Sequence, residues 1–482
     1  MRHDRSFSIP VLLLGCLGLC GCGSNAGTAA RLDAAVDAKQ PTPDTNVATP
    51  DTNVVTPDTS IVSPDTSAAS QDTGAAPETG TALDTGAALD TGAGALDTGA
   101  TALDGGGVTT SIRGIAAVHS DYQSSAVSLL DRDGNVVKDG CINSGTGSPG
   151  LSMTLSGDVV LPSQIAASSA IALVDRGNST LTWIDPTTCA PLRQLAVGTG
   201  FKANPHDYVE LSATKAYVTR YEKNSAAGAV AFDSGNDLLI VDPSQPKIMG
   251  RVDLTPFAPT GVLPRADRAV LANGKVFVAL NASDAKYGAN ATGRIVMVDP
   301  TLDQVTSTID LPGTKNCGAM AYVAASEKLL VACTGDYGDT NQAAGSAVVA
   351  LNLGVTPPVI VGQVAASAVR GLIFSNSSVA ALDGNSALAV TMGDFSNTPP
   401  DSLWLLPQDS TAPSKIFSST EAYSLGAVLV DAERNRVFVT DGTTLTPPLV
   451  RVFTRVSGAF QATATVNTNP TQKLPARGLA WF

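Results

Sequence analysis

Residues 215–254 read KAYVTRYEKNSAAGAVAFDSGNDLLIVDPSQPKIMGRVDL and contain three short runs of strand-forming residues. The runs KAYVTRY, LLIVDP and GRVDL are rich in Val, Ile, Leu and Tyr, and turn-forming residues separate them. Short apolar runs between such turns are typical of β-strands. Because no stretch beyond residue 108 shows a sustained 3.6-residue apolar period, the sequence predicts an all-β domain over residues 108–482.

The same order of strands recurs along this domain. Each unit opens with a strand of small residues: HDYVELS from His206, DRAVLA from Asp267, GAMAYVAA from Gly318, RGLIFS from Arg370, LGAVLVDA from Leu425 and RGLAWF from Arg477. The openings recur about every 54 residues, which leaves room for about seven units. Four antiparallel strands repeated radially form the blades of a β-propeller. We therefore predict a seven-bladed propeller of four-stranded blades, with six or eight blades as alternatives.

The two ends of the domain indicate how the ring closes. The sequence ends directly after RGLAWF, an opening strand without partners, and the domain begins near Ile112 with residues typical of later strands. We expect the C-terminal strand to complete the first blade, which removes an exposed sheet edge. In an alternative register, Arg113-Gly114-Ile115 is itself an opening strand.

KAYVTRYEKN from Lys215, followed by LLIVDP and GRVDL, resembles the YVTN repeat of the YncE-like and lactonase-like seven-bladed propellers of exported bacterial proteins. The resemblance covers residues 200–311 well and the flanking units more loosely. It implies the propeller architecture. It also implies, by analogy of fold, a hydrolase of lactones or other small esters that uses residues in the central funnel.

The N-terminus has the layout of an export signal. Arg2 and Arg5 precede an apolar run from Ile9 to Leu19, which is too short to span a bilayer permanently. Leu19-Cys20-Gly21-Cys22 then resembles the lipobox of bacterial lipoproteins, so we expect cleavage after residue 21 and lipid on Cys22. The residue after Cys22 is glycine and not the aspartate of inner-membrane retention, which favours the outer membrane of the cell envelope. The alternative is an ordinary cleaved signal.

Residues 22–107 consist mainly of Ala, Thr, Asp, Pro and Gly in repeats of about seven residues, such as TPDTNVA and TALDTGA. This composition buries too little apolar surface to offset its ordering entropy, so we predict a disordered tether. Asp-Thr-Gly occurs four times here and resembles the motif of aspartic proteases. That chemistry needs two such loops in a folded double domain, which this segment does not offer.

Charge excludes one class of partner. The chain holds 30 Lys and Arg against 43 Asp and Glu, for a net charge of −13, and it contains no basic run. It therefore lacks the electrostatic footprint of nucleic-acid binding. The expected partners are the membrane, through the N-terminal lipid, and an unknown protein or small anionic ligand at the funnel.

Four cysteines remain in the domain, at Cys141, Cys189, Cys317 and Cys333. An even number in an exported chain indicates disulfides. Three pairings are open, and we favour Cys141 with Cys189 and Cys317 with Cys333, because the second pair would join neighbouring strands of one blade. Four reduced thiols are the alternative.

The sequence offers little catalytic chemistry. It contains no nucleophile elbow, zinc-protease, Walker or dinucleotide motif, so we assign no catalytic residue, no cofactor and no metal. His119 and His206 each have an aspartate within two residues, and His206 stays a ligand-binding candidate. Residues 131–135, DRDGN, match part of a calcium loop, but Asp-Gly between apolar strands first indicates a hairpin.

Four arginines are the remaining candidates, because each stands at or just before a predicted opening strand: Arg113, Arg265, Arg370 and Arg477. Opening strands line the funnel of a propeller, and arginine offers paired donors to carboxylate or phosphate. Pairing with Asp or with backbone carbonyls between blades is the alternative. Two function classes follow: a tethered, non-catalytic binding or scaffold protein, and the lactonase-like hydrolase.

Overall fold

The computed structural model describes residues 101–103, 109–394, 396, 398–409, 411–443 and 446–482. They form an all-β structure of seven four-stranded antiparallel sheets and one two-stranded ladder. The predicted signal peptide, Cys22 and almost all of the predicted tether lie outside the described residues. No helix in the described part of the chain is long and apolar enough to cross a membrane.

The strands follow one another with short turns, and four one-turn 3-10 helices interrupt them. The first ten strands are β1 (Thr101–Leu103), β2 (Thr109–Ser111), β3 (Ile115–Ser120), β4 (Ser125–Leu130), β5 (Val136–Asn143), β6 (Val159–Val160), β7 (Ile171–Asp175), β8 (Thr180–Ile184), β9 (Pro191–Ala196) and β10 (Pro205–Ser212). The next ten are β11 (Lys215–Lys223), β12 (Gly235–Asp242), β13 (Lys247–Asp253), β14 (Ala266–Ala272), β15 (Lys275–Leu280), β16 (Thr292–Asp299), β17 (Gln304–Lys315), β18 (Cys317–Val323), β19 (Lys328–Thr334) and β20 (Ser346–Asn352). The last ten are β21 (Val359–Ala365), β22 (Ile373–Asp383), β23 (Ser386–Met392), β24 (Ser402–Pro407), β25 (Ser414–Ser418), β26 (Leu425–Asp431), β27 (Arg436–Asp441), β28 (Leu449–Val456), β29 (Ala459–Asn467) and β30 (Ala476–Trp481). The 3-10 helices are Thr255–Phe257, Ala324–Ser326, Gln342–Gly345 and Ala366–Val369.

The sheets are the blades of a propeller, as predicted. Blade 1 has the order β30-β3-β4-β5, and blades 2 to 7 take four consecutive strands each, from β6–β9 to β26–β29. The seven-blade count is confirmed. A short ladder of Thr101–Leu103 with Thr109–Ser111 precedes blade 1, so strand structure begins slightly before the predicted domain boundary.

The C-terminal strand closes the ring, as expected. Strand β30 pairs antiparallel with β3, with Val118 opposite Gly478. Beyond this ladder, the Arg113 N–H donates to the Phe482 carbonyl at 2.7 Å. The alternative register is therefore wrong, because Arg113 leads into the second strand of blade 1 and not into its innermost strand.

The burial of the strands explains why the blades could be recognised in the sequence. Inner and middle strands are packed on both faces, as in β4 and β12, where every residue is buried, and they read as continuous apolar runs. Outer strands alternate, as in β17, where exposed and half-buried residues follow one another along most of its length. Apolar clusters between neighbouring blades form the core, and in one of them Trp183 meets Tyr208 edge to face at 5.8 Å.

The hairpin at residues 131–135 links the two ends of the ring. The Asp131 carboxylate accepts the N–H groups of Asp133 and Asn135 at 2.8 Å each, which makes it a turn, as the Asp-Gly pair first indicated. Its neighbour Arg132 forms a buried ion pair with Asp431 of blade 7, at 2.8 Å. Blades 1 and 7 are therefore joined by an ion pair as well as by strand pairing.

Both favoured disulfides are confirmed. Cys317 and Cys333 face each other on β18 and β19 of blade 5, with an S–S distance of 2.02 Å. Cys141 on β5 of blade 1 bonds Cys189 in the turn between β8 and β9 of blade 2, also at 2.02 Å. One bridge thus staples a single blade and the other joins two blades.

Candidate axial binding site

A cavity of about 410 Å³ lies between the innermost strands, within the size range of small-molecule sites. Six of the seven blades contribute to its wall, through β30, β6, β14, β18, β22 and β26. We call it the axial cavity. Because every blade is built by the same path from innermost to outermost strand, these strands run in one direction and their starts meet at one end, the mouth.

Blade 3 is kept from the cavity by residues 161–170, which we call the plug segment. Its Ser163 N–H donates to Asp207 on β10 at 2.9 Å. The Gln164 amide then bonds Leu271 of β14 twice, donating to its carbonyl at 3.0 Å and accepting its N–H at 2.6 Å. The plug segment therefore lies over β10 and reaches blade 4, taking the place of a wall strand.

Arg477 on β30 lies at the mouth of the axial cavity. Its guanidinium donates to two main-chain carbonyls, those of Ser120 at 3.3 Å and Tyr423 at 3.2 Å, and it lies over the Tyr122 ring at 5.6 Å. Among the described residues, no carboxylate lies within 4 Å of it. Its positive charge is therefore available to an anion in the cavity.

Arg268 on β14 is a second cation of the mouth. Its Nη1 donates to the carbonyls of Leu161 and His206, at 3.2 and 3.1 Å. The Asp267 carboxylate is 4.0 Å from its Nε, too far for a hydrogen bond. A third cation, Arg176, forms a 2.6 Å ion pair with Asp158. Carbonyls thus position both Arg268 and Arg477, but the charge of Arg268 is partly offset by the nearby Asp267 carboxylate.

The acidic groups in the wall have structural partners. Asp401 accepts the N–H groups of Gly393, Tyr423 and Leu425 at 2.7 to 2.9 Å, and burial raises the pKa of its carboxyl. Asp267 accepts from His206 Nδ1 at 2.7 Å and from the Asn281 amide at 3.1 Å. These carboxylates fix loops and strand starts.

Blade 6 adds hydroxyl groups to the wall through a long bulge at Ser375–Ser378. In the β22–β23 ladder, Phe374 pairs with Thr391 and the next pair is Val379 with Ala389, so five steps on one strand oppose two on the other. The corresponding bulges of β14, β18 and β26 oppose three steps to two. The bulge places Ser375 and Ser377 in the wall of the axial cavity, with their hydroxyl oxygens 2.6 Å apart.

His206 lies behind this wall, on β10. It is buried between Asp267 and the Tyr221 ring, on which it stacks at 4.3 Å, and burial lowers the pKa of its imidazole. It does not line the axial cavity. Its observed contacts tie blade 3 to blade 4.

The structure does not bring the four predicted arginines together. Only Arg477 lies on an innermost strand and lines the axial cavity. Arg265 precedes β14 with φ of +53°, and its buried side chain turns to Glu222 and to the Tyr287 ring at 4.1 Å. Arg113 and Arg370 are exposed, and neither lies in the wall.

The two missed cations had a signal in the sequence. Arg268 stands inside the opening strand DRAVLA, whereas the four predicted arginines stand at or just before strand starts. Arg176 follows the buried strand β7, whose end lies at the mouth because β7 runs antiparallel to β6.

The chain is similar to several solved structures. A Bacteroides fragilis NCTC 9343 protein with the provisional name 6-phosphogluconolactonase matches 77% of this chain and 97% of its own, with TM-score 0.50 and 9% identity. A Bacteroides uniformis ATCC 8492 protein with the same provisional name matches 77% and 99%, with TM-score 0.48 and 11% identity. A functionally unknown protein from Desulfotomaculum acetoxidans DSM 771 matches 64% and 84%, with TM-score 0.42 and 13% identity. No protein-family model and no curated protein sequence matches the chain.

At 9% identity, the match to the Bacteroides fragilis protein shows a shared fold and transfers no site residue. The chain is a seven-bladed β-propeller with an axial cavity whose mouth is charged.

Proposed function

We propose that this protein is an exported, lipid-anchored propeller that binds a small anion in its axial cavity and does not catalyse a reaction on it. The observation that carries the proposal is Arg477, a guanidinium in the cavity wall whose contacts with the described residues are main-chain carbonyls and an aromatic ring. An anion is attracted to such a site even though the protein as a whole is acidic, because the nearest charges dominate.

Two features support recognition of an anion at the mouth. Charge-assisted hydrogen bonds contribute about 1.5 to 3 kcal/mol each, so Arg477 with Arg268 suffices for weak binding. The hydroxyl groups of Ser375 and Ser377 bond each other, so the pair adds one neutral donor on the blade 6 side of the cavity. Both sets sit on strands, which hold a site more rigidly than loops do.

Calorimetric titration with malonate and with inorganic phosphate tests this function. We expect Arg477→Gln to weaken binding about 10-fold to 100-fold, as loss of one charge-assisted bond predicts. Arg370→Gln is the matched control, because it removes the same charge from an exposed position outside the cavity. Equal affinity in the wild type and both variants would exclude the cavity as the binding site.

The anchoring part of the proposal rests on the sequence at residues 19–22. Lipid on Cys22 and a tether over residues 22–107 would hold the propeller at the outer membrane while letting it stand clear of the lipid surface. Labelled palmitate should enter the wild type and not Cys22→Ser, and the variant should become soluble on fractionation. Equal labelling of both proteins contradicts the anchor.

A lactonase-like hydrolase is the competing hypothesis, and the provisional names of two proteins of the same fold favour it. Its test is the hydrolysis of glucono-δ-lactone followed in a pH-stat. We expect the wild type and Arg477→Gln to show the uncatalysed rate alone. Saturable turnover that the Arg477→Gln change abolishes would replace the binding role with a catalytic one.

A further inference from the structure

We propose that the ligand of the axial cavity is an amphiphile, a carboxylate with an apolar tail or ring, whose charged head binds at the mouth and whose apolar body fills the far half. This inference rests on the anion-binding function proposed above. It adds the chemical class of the ligand, which follows from the way polarity is distributed along the axis.

The charged side chains of the wall lie at one end. Asp267, Arg268 and Arg477 are the second or third residues of their innermost strands, and Asp158 directly precedes β6. Hydrogen bonds between the starts of neighbouring innermost strands confirm that these strand starts lie close together. The Asn281 amide donates both to Asp267 and to the Cys317 carbonyl at the start of β18, at 3.1 and 2.6 Å.

The far half of the wall is mostly apolar. Most of the later innermost-strand residues that line the cavity have hydrocarbon or thioether side chains, for example Val270, Met320, Ala381, Leu429, Val430 and Leu479. The polar groups there, the Gln164 amide and the Tyr322 hydroxyl, are hydrogen-bonded to Leu271 and to Asn273. Among the described residues, no charged side chain lines this half. A free ion in the cavity would therefore leave most of this apolar wall in contact with water, whereas a hydrocarbon body would cover it.

Aromatic side chains mark the far end of the wall. Tyr322 lies near the end of β18 and donates its hydroxyl to Asn273, and Trp481 is the last residue of β30 and packs edge to face on Phe438 at 6.1 Å. From Arg477 to Trp481 the strand rises about 13 Å. A medium-length hydrocarbon chain spans that distance from a carboxylate held at the mouth.

A series of carboxylates tests the inference by calorimetry: acetate, hexanoate and octanoate, with octanamide as the uncharged analogue. We expect octanoate to bind at least about 100-fold more tightly than acetate, because each buried methylene adds affinity. Octanamide should bind at least about 10-fold more weakly than octanoate, because it lacks the charge that Arg477 recognises.

Two variants separate head from tail. Arg477→Gln should bring octanoate down to the affinity of octanamide while leaving octanamide unchanged. Ala321→Phe fills the apolar half on β18, and should weaken octanoate at least about 10-fold while malonate binding stays intact. Arg370→Gln should change neither ligand, and circular dichroism checks that each variant is folded.

The outcomes distinguish this inference from the function beneath it. Acetate and octanoate bound equally, both dependent on Arg477, would overturn the amphiphile and leave the anion-binding function standing. Octanoate bound equally by the wild type and Arg477→Gln would also overturn it, because the head would then not be at the mouth. If neither malonate, phosphate nor any carboxylate of the series binds, both proposals fail together.

Discussion

His119 on β3 has no exposed surface, and its Nε2 is 2.8 Å from the Thr468 hydroxyl. Burial lowers the pKa of its imidazole to about 4, from 6.5. The pKa of His119 in the folded protein lies below its pKa in the unfolded chain. The contribution of His119 to the free energy of unfolding is therefore complete above pH 6.5 and is lost as the pH falls towards 4. The loss amounts to about 3 kcal/mol.

We predict that His119→Gln removes this pH dependence. The difference in free energy of unfolding between wild type and variant, measured in urea, should shift by about 3 kcal/mol between pH 7 and pH 4, to the disadvantage of the wild type. Carboxylates titrate equally in both proteins and cancel in the difference. A constant difference across this range would contradict the assignment.

Among single residues, the sequence predicted the disulfide pairing but not the direction of every arginine side chain. The cysteine pairings were correct, because the four cysteines of the domain allow only three pairings and one pair fell on neighbouring strands. Arg477 was correctly placed in the funnel, but Arg265 was not. Its left-handed backbone turns the side chain towards Glu222, and that conformation of a non-glycine residue has no clear sequence signal.

Among the structural elements, the plug segment carries the clearest prediction. Gln164→Leu removes both hydrogen bonds to Leu271 and leaves the N–H of that buried residue unpaired, which should cost about 1 to 3 kcal/mol. Amide exchange at Leu271 should accelerate with it. Gln363→Leu on the exposed outer strand β21 is the control and should change the free energy of unfolding by less than about 0.5 kcal/mol. Unchanged exchange at Leu271 would show that the plug segment does not depend on this contact.

The plug segment also explains the one innermost strand that the sequence did not reveal. Six opening strands were legible as apolar runs, but β6 is only two residues long and Pro162 follows within two residues. The small and polar residues of the plug segment then run from blade 2 towards the axis. Their hydrogen-bond partners there are Asp207, Glu210 and Leu271. Those partners are distant in sequence, so the local sequence pattern cannot predict that the plug segment lies over β10 and reaches blade 4.

For the whole molecule, the ion pair between Arg132 and Asp431 tests how the ring is held closed. Removing one partner of a buried pair costs about 3 to 5 kcal/mol, so Arg132→Met should strongly lower the free energy of unfolding. The double change Arg132→Met with Asp431→Leu should recover much of it, because no charge stays buried alone. The exposed pair of Arg455 with Asp383 provides the control, and Arg455→Met should cost less than about 1 kcal/mol.

Urea unfolding of the wild type and these three variants measures whether the charge of Arg132 holds blades 1 and 7 together. A double variant as unstable as Arg132→Met alone would mean that the hydrocarbon stem of Arg132, and not its charge, joins blades 1 and 7.

A crystal structure of the protein with 8-bromooctanoate tests the binding role most directly, because the anomalous scattering of bromine locates the end of the tail. We predict a single strong anomalous peak inside the axial cavity, near Tyr322 and Trp481, with carboxylate density at Arg477. Bromine found only on the outer surface of the blades, or at the mouth beside Arg477, would contradict the proposed site and its polarity.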